Sequence, residues 1–294
     1  MKQKAYIICG PTASGKSSLA IDLALKNNGV IINADSQQVY RELPILTACP
    51  SKKDYETVPH KLYQFFDGGK KMDASLWVDY AKKEIEAAFN QNKTPYIVGG
   101  TGFYIKALTQ GLSVIPDIPA NIRKQVRQEG LHAKNVELYE ILKKYDPDLC
   151  KKVLPSDKQR VLRGIEVFRA TGTPLSVWQR QKKVLPLPEI DFDLQIIDFE
   201  MPELEQRIKL RTEEMFKNGV VDEVKEVLRG DYPDNAAVFK IIGFQTIWQY
   251  LAENITLDEA KAEVILLTRQ YAKRQRTFFR TQLKAGNIEG NSAK

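Results

Sequence analysis

Gly10-Pro11-Thr12-Ala13-Ser14-Gly15-Lys16-Ser17 fits G-x-x-x-x-G-K-[ST] at every fixed position. That spacing builds a loop whose backbone N–H groups converge on a phosphate, with a lysine for a terminal phosphate and a hydroxyl for Mg2+. The motif follows the apolar run Ala5-Tyr6-Ile7-Ile8-Cys9 and precedes a helical pattern of Leu19, Ala20, Leu23 and Ala24. It therefore stands at the strand-to-helix junction it requires, where the helix N-terminus adds to the anion site. Residues 10–17 are expected to hold a di- or triphosphate, with Lys16 on a phosphate and Ser17 on Mg2+.

Two more candidates stand where apolar runs end. Asp35 follows Gly29-Val30-Ile31-Ile32-Asn33. It suits a turn or N-cap carboxylate, a general base beside the loop, or a group near Mg2+. The segment Asp35-Ser36-Gln37-Gln38-Val39-Tyr40-Arg41 is rich in side chains that hydrogen-bond a base edge. Thr101 lies in Gly99-Gly100-Thr101-Gly102, where small residues admit a ligand closely or simply make a turn. That third apolar run ends without the Mg2+-binding aspartate usual in a nucleotide hydrolase. The pattern suggests a site that holds a phosphate group while another part of the molecule reacts. A small-molecule or nucleotide kinase is the alternative.

These residues need a scaffold. Alternating apolar strands and amphipathic helices over the first hundred residues predict a parallel sheet covered on both faces, with its ligands at the carboxyl strand ends. A long irregular stretch is expected from Leu43 to Gly69. Pro116-Asp117-Ile118-Pro119 and Leu185-Pro186-Leu187-Pro188 bracket a Lys-, Arg-, Glu- and Leu-rich helical pattern. Asp193–Phe199 then resumes the sheet, and the last helix starts at a Thr256-to-Glu259 capping box. The reading is an α/β P-loop-type core over 1–116 and 191–294, interrupted by an all-helical insertion at 117–190.

Composition narrows the class. Hydrophobic content of 43% and charged content of 28% describe a globular protein, and no apolar run reaches membrane-span length. Three separated cysteines and two histidines suggest neither a disulfide framework nor a zinc site. The phosphate loop comes so early that no signal peptide is expected, and a reducing cytoplasm is the expected compartment. The net charge of +7 is concentrated. Residues 269–284 carry Arg269, Lys273, Arg274, Arg276, Arg280 and Lys284 with no acid, interleaved with Tyr271, Phe278 and Phe279. Such a stripe points to nucleic acid, the aromatics serving either as stacking platforms or as core.

Taken together, GPTASGKS, Asn33–Arg41, Gly99-Gly100-Thr101-Gly102-Phe103-Tyr104, Asp157–Arg163 with Glu166-Val167, and Tyr271–Arg280 resemble the bacterial tRNA dimethylallyltransferases in order and spacing. The resemblance implies transfer of a dimethylallyl group from dimethylallyl diphosphate to N6 of adenosine 37 of tRNA, with Mg2+ assisting. It implies that Gly10, Pro11, Thr12, Ala13, Ser14, Gly15, Lys16 and Ser17 bind the donor diphosphate. Asp35 would be the base, with Thr101 and Lys16 supporting the reacting groups. tRNA would touch Asp35, Ser36, Gln37, Gln38 and Thr101, then Arg123, Gln159, Arg160, Val161, Leu162 and Arg163; the basic stripe itself adds Arg276 and Arg280 as expected tRNA contacts. A helical insertion that grips the anticodon arm is implied, and the lack of coiled-coil heptads or an obvious interface patch in the sequence makes a monomer the expected state. Ile45-Leu46-Thr47-Ala48-Cys49-Pro50 departs from the family's usual Ile-Gly-Thr-Ala-Lys-Pro.

Overall fold

The computed structural model describes residues 2–283 and the backbone of 286–289. It divides into two compact units, Met1–Thr109 with Pro186–Lys294, and Gln110–Leu185.

In the first unit the chain runs β1 (Gln3–Cys9), α1 (Lys16–Lys26), β2 (Gly29–Asn33), α2 (Lys52–Thr57), β3 (His60–Lys61), α3 (Ala74–Asn90), β4 (Thr94–Gly99) and α4 (Gly102–Gln110). The second unit holds α5 (Ala120–His132), α6 (Asn135–Tyr145), α7 (Pro147–Cys150), α8 (Lys158–Thr171) and α9 (Leu175–Arg180). The chain returns with β5 (Ile190–Asp198), α10 (Met201–Lys217), α11 (Val220–Arg229), α12 (Phe244–Leu251), α13 (Leu257–Gln282) and β6 (Gly286–Glu289).

The six strands are all parallel, in the order β3-β2-β4-β1-β5-β6. Every residue of β2 is buried, and so is all of β4 after Thr94, because helices cover both faces of a parallel sheet. Trp77 of α3 is fully buried, stacks on Tyr104 at 4.6 Å between centroids, and donates its indole N–H to Asn33 O at the end of β2.

The stretch expected to be irregular contains α2 and β3. Ser51 and Asp54 cap α2 reciprocally, and β3 pairs only two residues with β2, so both elements are too short for periodicity to reveal. β6, which continues the sheet beyond β5, was likewise not anticipated.

The second unit packs α6 and α8 around Leu138, Leu142, Val161 and Ile165. A Cβ at Gly164 would meet Leu142 Cδ1 at 2.5 Å, so glycine lets the two helices approach closely. Asp146 is fully buried, and its two oxygens accept the N–H groups of Leu149 and Ser176, capping α7 and bracing α9. An antiparallel bridge, Leu112 to Val184, closes the unit at its base.

Candidate active site

The carboxyl ends of β1, β2 and β4 carry the phosphate loop, Asp35 and the Gly99–Gly102 turn, all within the first unit. Gly10 must be glycine because β5 passes so close that a Cβ would fall 2.4 Å from Ile197 O. Ala13 and Gly15 are left-handed, at φ 65° and 78°, which turns successive N–H groups inward as an anion nest. Among the described residues, the N–H groups of Ala13, Gly15, Lys16 and Ser17 have no acceptor, and the buried Ser14 Oγ has no partner. Unsatisfied groups so concentrated call for a bound anion.

Not every loop residue offers a donor. Pro11 has no N–H, and its carbonyl accepts from Ser14 N and Lys16 Nζ, each at 3.3 Å, so it shapes the loop instead of binding through it. Thr12 spends its N–H on Gln275 Oε1 at 2.8 Å. These two expected diphosphate ligands are thereby corrected to supporting positions.

The structure adds a cation that sequence reading missed. Arg211 of α10 donates from Nη1 to Thr12 Oγ1 at 2.7 Å. Burial lowers the Arg211 guanidinium from its ordinary value, and Asp35 opposes the shift. Lys16 is half-buried and lowered by burial, with Asp35 opposing and Arg211 reinforcing. Arg207, one helical turn before Arg211, borders Gly15 and lies over the Phe199 ring at 4.3 Å. An arginine some two hundred residues from the loop has no local signature, and a helical i, i+4 pair of arginines was the only available hint.

Asp35 is buried, and its two oxygens are divided. Oδ1 accepts the Gln37 N–H at 3.0 Å, an Asx turn. Oδ2 faces the Gly100 turn, where a Cβ would lie 3.2 Å from it. Thr101 Oγ1 accepts the Ser36 N–H at 2.8 Å and donates to Ser36 Oγ, so the two turns form one wall. Gln37 Oε1 accepts the Ile242 N–H, and Gln38 Nε2 donates to the Thr47 and Ala48 carbonyls. Gln38 therefore offers its carbonyl oxygen to a ligand, whereas the Gln37 amide is shared with the Tyr271 hydroxyl.

The 44–48 segment that orients Gln38 is itself clamped. Glu223 of α11 accepts the N–H groups of Ile45 and Leu46 at 2.6 and 2.8 Å. Leu46 fills the space beside Gly243. Burial pushes the Glu223 carboxyl from 4.5 up to about 7, against the pull of those two amides. A folded pKa above the unfolded one gives a contribution that is full below the unfolded carboxylate range and lost as pH rises through about 7. As pH rises from about 4.5 to about 7, Glu223→Gln, which cannot ionise, should therefore gain stability relative to the unaltered protein, by up to roughly 1.4 kcal/mol per pH unit. Denaturant unfolding of both proteins across that range measures it. A difference that does not vary with pH would show that Glu223 does not titrate there.

The basic stripe on α13 is largely spoken for. Arg276 is buried at 9% exposure and donates to Asp198 Oδ1 at 2.6 Å, so it ties α13 to the end of β5 and does not face solvent as expected for a tRNA contact. Arg280 pairs with the same aspartate at 2.7 Å but is exposed, and Arg269 pairs with Glu205. Phe279 is core at 1% exposure, Phe278 packs over Gly102, and Tyr271 stays half-buried with Arg274 at 5.8 Å from its ring.

In the second unit, Arg123, Gln159 and Arg160 are exposed and Arg163 is half-exposed. Val161 is corrected: it is buried in the helical core, and Leu162 packs against Gly130. Buried Glu166 lies 3.6 Å from Arg163 Nη1 and 3.4 Å from Arg127 Nε, holding two guanidinium groups at the surface with N–H donors to spare.

Comparison with known proteins agrees over the whole length. Residues 38–282 match the family model described as IPP transferase, and residues 3–63 the one described as isopentenyl transferase. A tRNA dimethylallyltransferase of Azorhizobium caulinodans is 41% identical over 96% of this chain and 91% of its own. One from Pelagibacter ubique is 40% identical, with coverage of 96% and 90%. Among solved structures, a tRNA isopentenylpyrophosphate transferase of Staphylococcus epidermidis matches with TM-score 0.68 and 31% identity, covering 98% of this chain and 93% of that one. A eukaryotic dimethylallyltransferase acting on tRNA matches with TM-score 0.82 and 27% identity, covering 98% and 74%.

Proposed function

Because this chain belongs to the tRNA dimethylallyltransferase family, we propose that it moves a dimethylallyl group from dimethylallyl diphosphate to N6 of adenosine 37 of tRNA, releasing diphosphate. The observation that carries this reading is the convergence on one sheet edge of an anion nest, two buried-side cations and a carboxylate. A kinase would also use the nest, but the family match over the whole chain does not favour it.

The chemistry follows from the groups. An exocyclic adenine amine is a poor nucleophile and too weak an acid for a carboxylate to deprotonate at rest. The allylic C–O bond breaks early because the five-carbon cation is delocalised. The loop amides, Lys16 and Arg211 stabilise the diphosphate as it leaves. As the N–C bond forms, the amine becomes strongly acidic, and Asp35 takes its proton. Thr101 and Ser36 hold the wall from which Asp35 projects. The base must leave the anticodon stack, which costs a few kcal/mol and has to be offset by contacts to the RNA backbone.

Ser17 is exposed at the start of α1, and its hydroxyl with phosphate and water oxygens makes a hard-oxygen set that suits Mg2+. When bound, Mg2+ supplies charge neutralisation on the leaving diphosphate.

The direct test is incubation with dimethylallyl diphosphate and an anticodon stem-loop, followed by mass analysis of the nucleosides. A modified adenosine confirms the reading, whereas ATP consumption without RNA would replace it by a kinase.

The arginines should separate. Arg163→Ala should weaken tRNA binding and shallow its salt dependence by about one unit of slope. Arg276→Ala should leave that slope unchanged and instead cost about 2 kcal/mol of stability, by removing a buried guanidinium and its hydrogen bonds to Asp198, which keeps Arg280 as a partner. Salt titrations and unfolding of both variants decide this. An equal loss of slope in the two would return Arg276 to the RNA surface.

A further inference from the structure

Gln275 lies on α13 at 5% exposure, and both halves of its amide are committed. Oε1 accepts the Thr12 N–H of the phosphate loop at 2.8 Å, and Nε2 donates to Gly100 O of the β4 turn at 2.9 Å. The fit leaves no slack, since a Cβ on Gly100 would fall 2.1 Å from Nε2. One side chain therefore joins the loop proposed to hold the donor to the turn that faces Asp35 Oδ2 and carries Thr101. On the other side of that loop, Thr12 Oγ1 accepts Arg211. A phosphate-loop amide left open would be a diphosphate donor. Here it faces protein, so Thr12 reports the position of α13 instead of binding the anion.

We propose that Gln275 is a positioning residue, whose amide fixes the spacing between the departing diphosphate and the Asp35 side of the cleft. The proposal rests on the reaction inferred above. Its reason is geometric: the allylic carbon must ionise with the amine already in line behind it. A misplacement on the order of 1 Å is enough to cost about 10²-fold in rate. Both bonds are needed, because an amide offers one acceptor and two donors in a fixed plane and no other side chain of that length offers both. If the two walls drift apart, the donor still loses diphosphate, but water captures the dimethylallyl cation, giving dimethylallyl alcohol and a proton. The outcome is uncoupling, which a partly unfolded enzyme would not show.

The test uses Gln275→Met, of similar length without hydrogen bonds, and Gln275→Glu, which keeps an acceptor for Thr12 but offers Gly100 O no donor. Diphosphate released per prenylated adenosine is measured on an anticodon stem-loop, with kcat and tRNA Kd. The unaltered enzyme should give a ratio near one. Gln275→Met should lower kcat about 10²-fold with tRNA Kd within about twofold, and the ratio should rise above one. Gln275→Glu should raise the ratio too, which keeps the test open if the methionine variant fails to fold. A ratio that stays at one in the folded variants, or a kcat within about threefold of the unaltered enzyme, overturns the proposal. Absence of any prenylated adenosine from the unaltered enzyme overturns the reaction beneath it instead.

Discussion

Asp35→Asn should lower kcat by about 10²-fold or more while leaving tRNA affinity within about tenfold, the signature of a lost base. Asparagine keeps the shape of the side chain and the Asx turn, because its Oδ1 still accepts the Gln37 N–H. What it loses is the acceptor for the proton that the amine sheds as the N–C bond forms. The substitution also removes the negative charge that opposes the lowering of Lys16 by burial, so that ammonium becomes harder to keep charged, while Arg211 remains a cation. A second loss, in donor KM, should therefore accompany the first. Single-turnover transfer measured beside tRNA binding separates the two. Near-normal transfer by Asp35→Asn would mean that the proton leaves by another route, and the base assignment would fail.

Lys16→Ala and Arg211→Ala should each reduce kcat/KM for the donor by about 10²- to 10³-fold, the scale on which one preorganised donor to a developing anion contributes. The two losses should not add. Arg211 reaches the loop through Thr12 Oγ1, and Lys16 donates to the Pro11 carbonyl within the same loop, so removing either loosens the nest that both complete. Neither change should alter the salt dependence of tRNA binding, because the partner of both is the small donor. Arg211→Lys should recover little, since a point charge cannot hold Thr12 and a phosphate together as a planar fork does. If Lys16→Ala flattens the salt slope as far as Arg163→Ala does, the loop is binding RNA backbone and the donor site lies elsewhere.

The sequence alone determined the four central strands and the end of the sheet that holds the ligand. Continuous apolar runs before GPTASGKS, Asn33–Ser36 and GGTG mark strands buried on both faces, and the strand-loop-helix order leaves the loop no other end of the sheet to occupy. Asp35 and Thr101 were legible for the same reason, as polar residues placed where an apolar run stops. The last helix was legible from its capping box, which forms at Thr256 and Glu259 as expected. Each of these signals lies within a few residues, where local chemistry governs.

Tertiary structure decided which charges are free. Residues 269–284 contain no acid, so the stripe looked open to a polyanion, yet Glu205 of α10 pairs with Arg269, and Asp198 of β5 is shared by Arg276 and Arg280. Those acids lie about seventy residues away and have no periodic relation to the stripe. Arg211 was invisible for the converse reason, a surface-like position on an amphipathic helix that only packing turns toward Thr12. Val161 and Phe279 sit among basic residues in sequence but on the inner face of their helices, where burial of apolar surface outweighs any contact their neighbours suggest. A sequence fixes what a residue can do chemically. Which partner it meets depends on elements distant in the chain, and long-range contacts carry no local pattern.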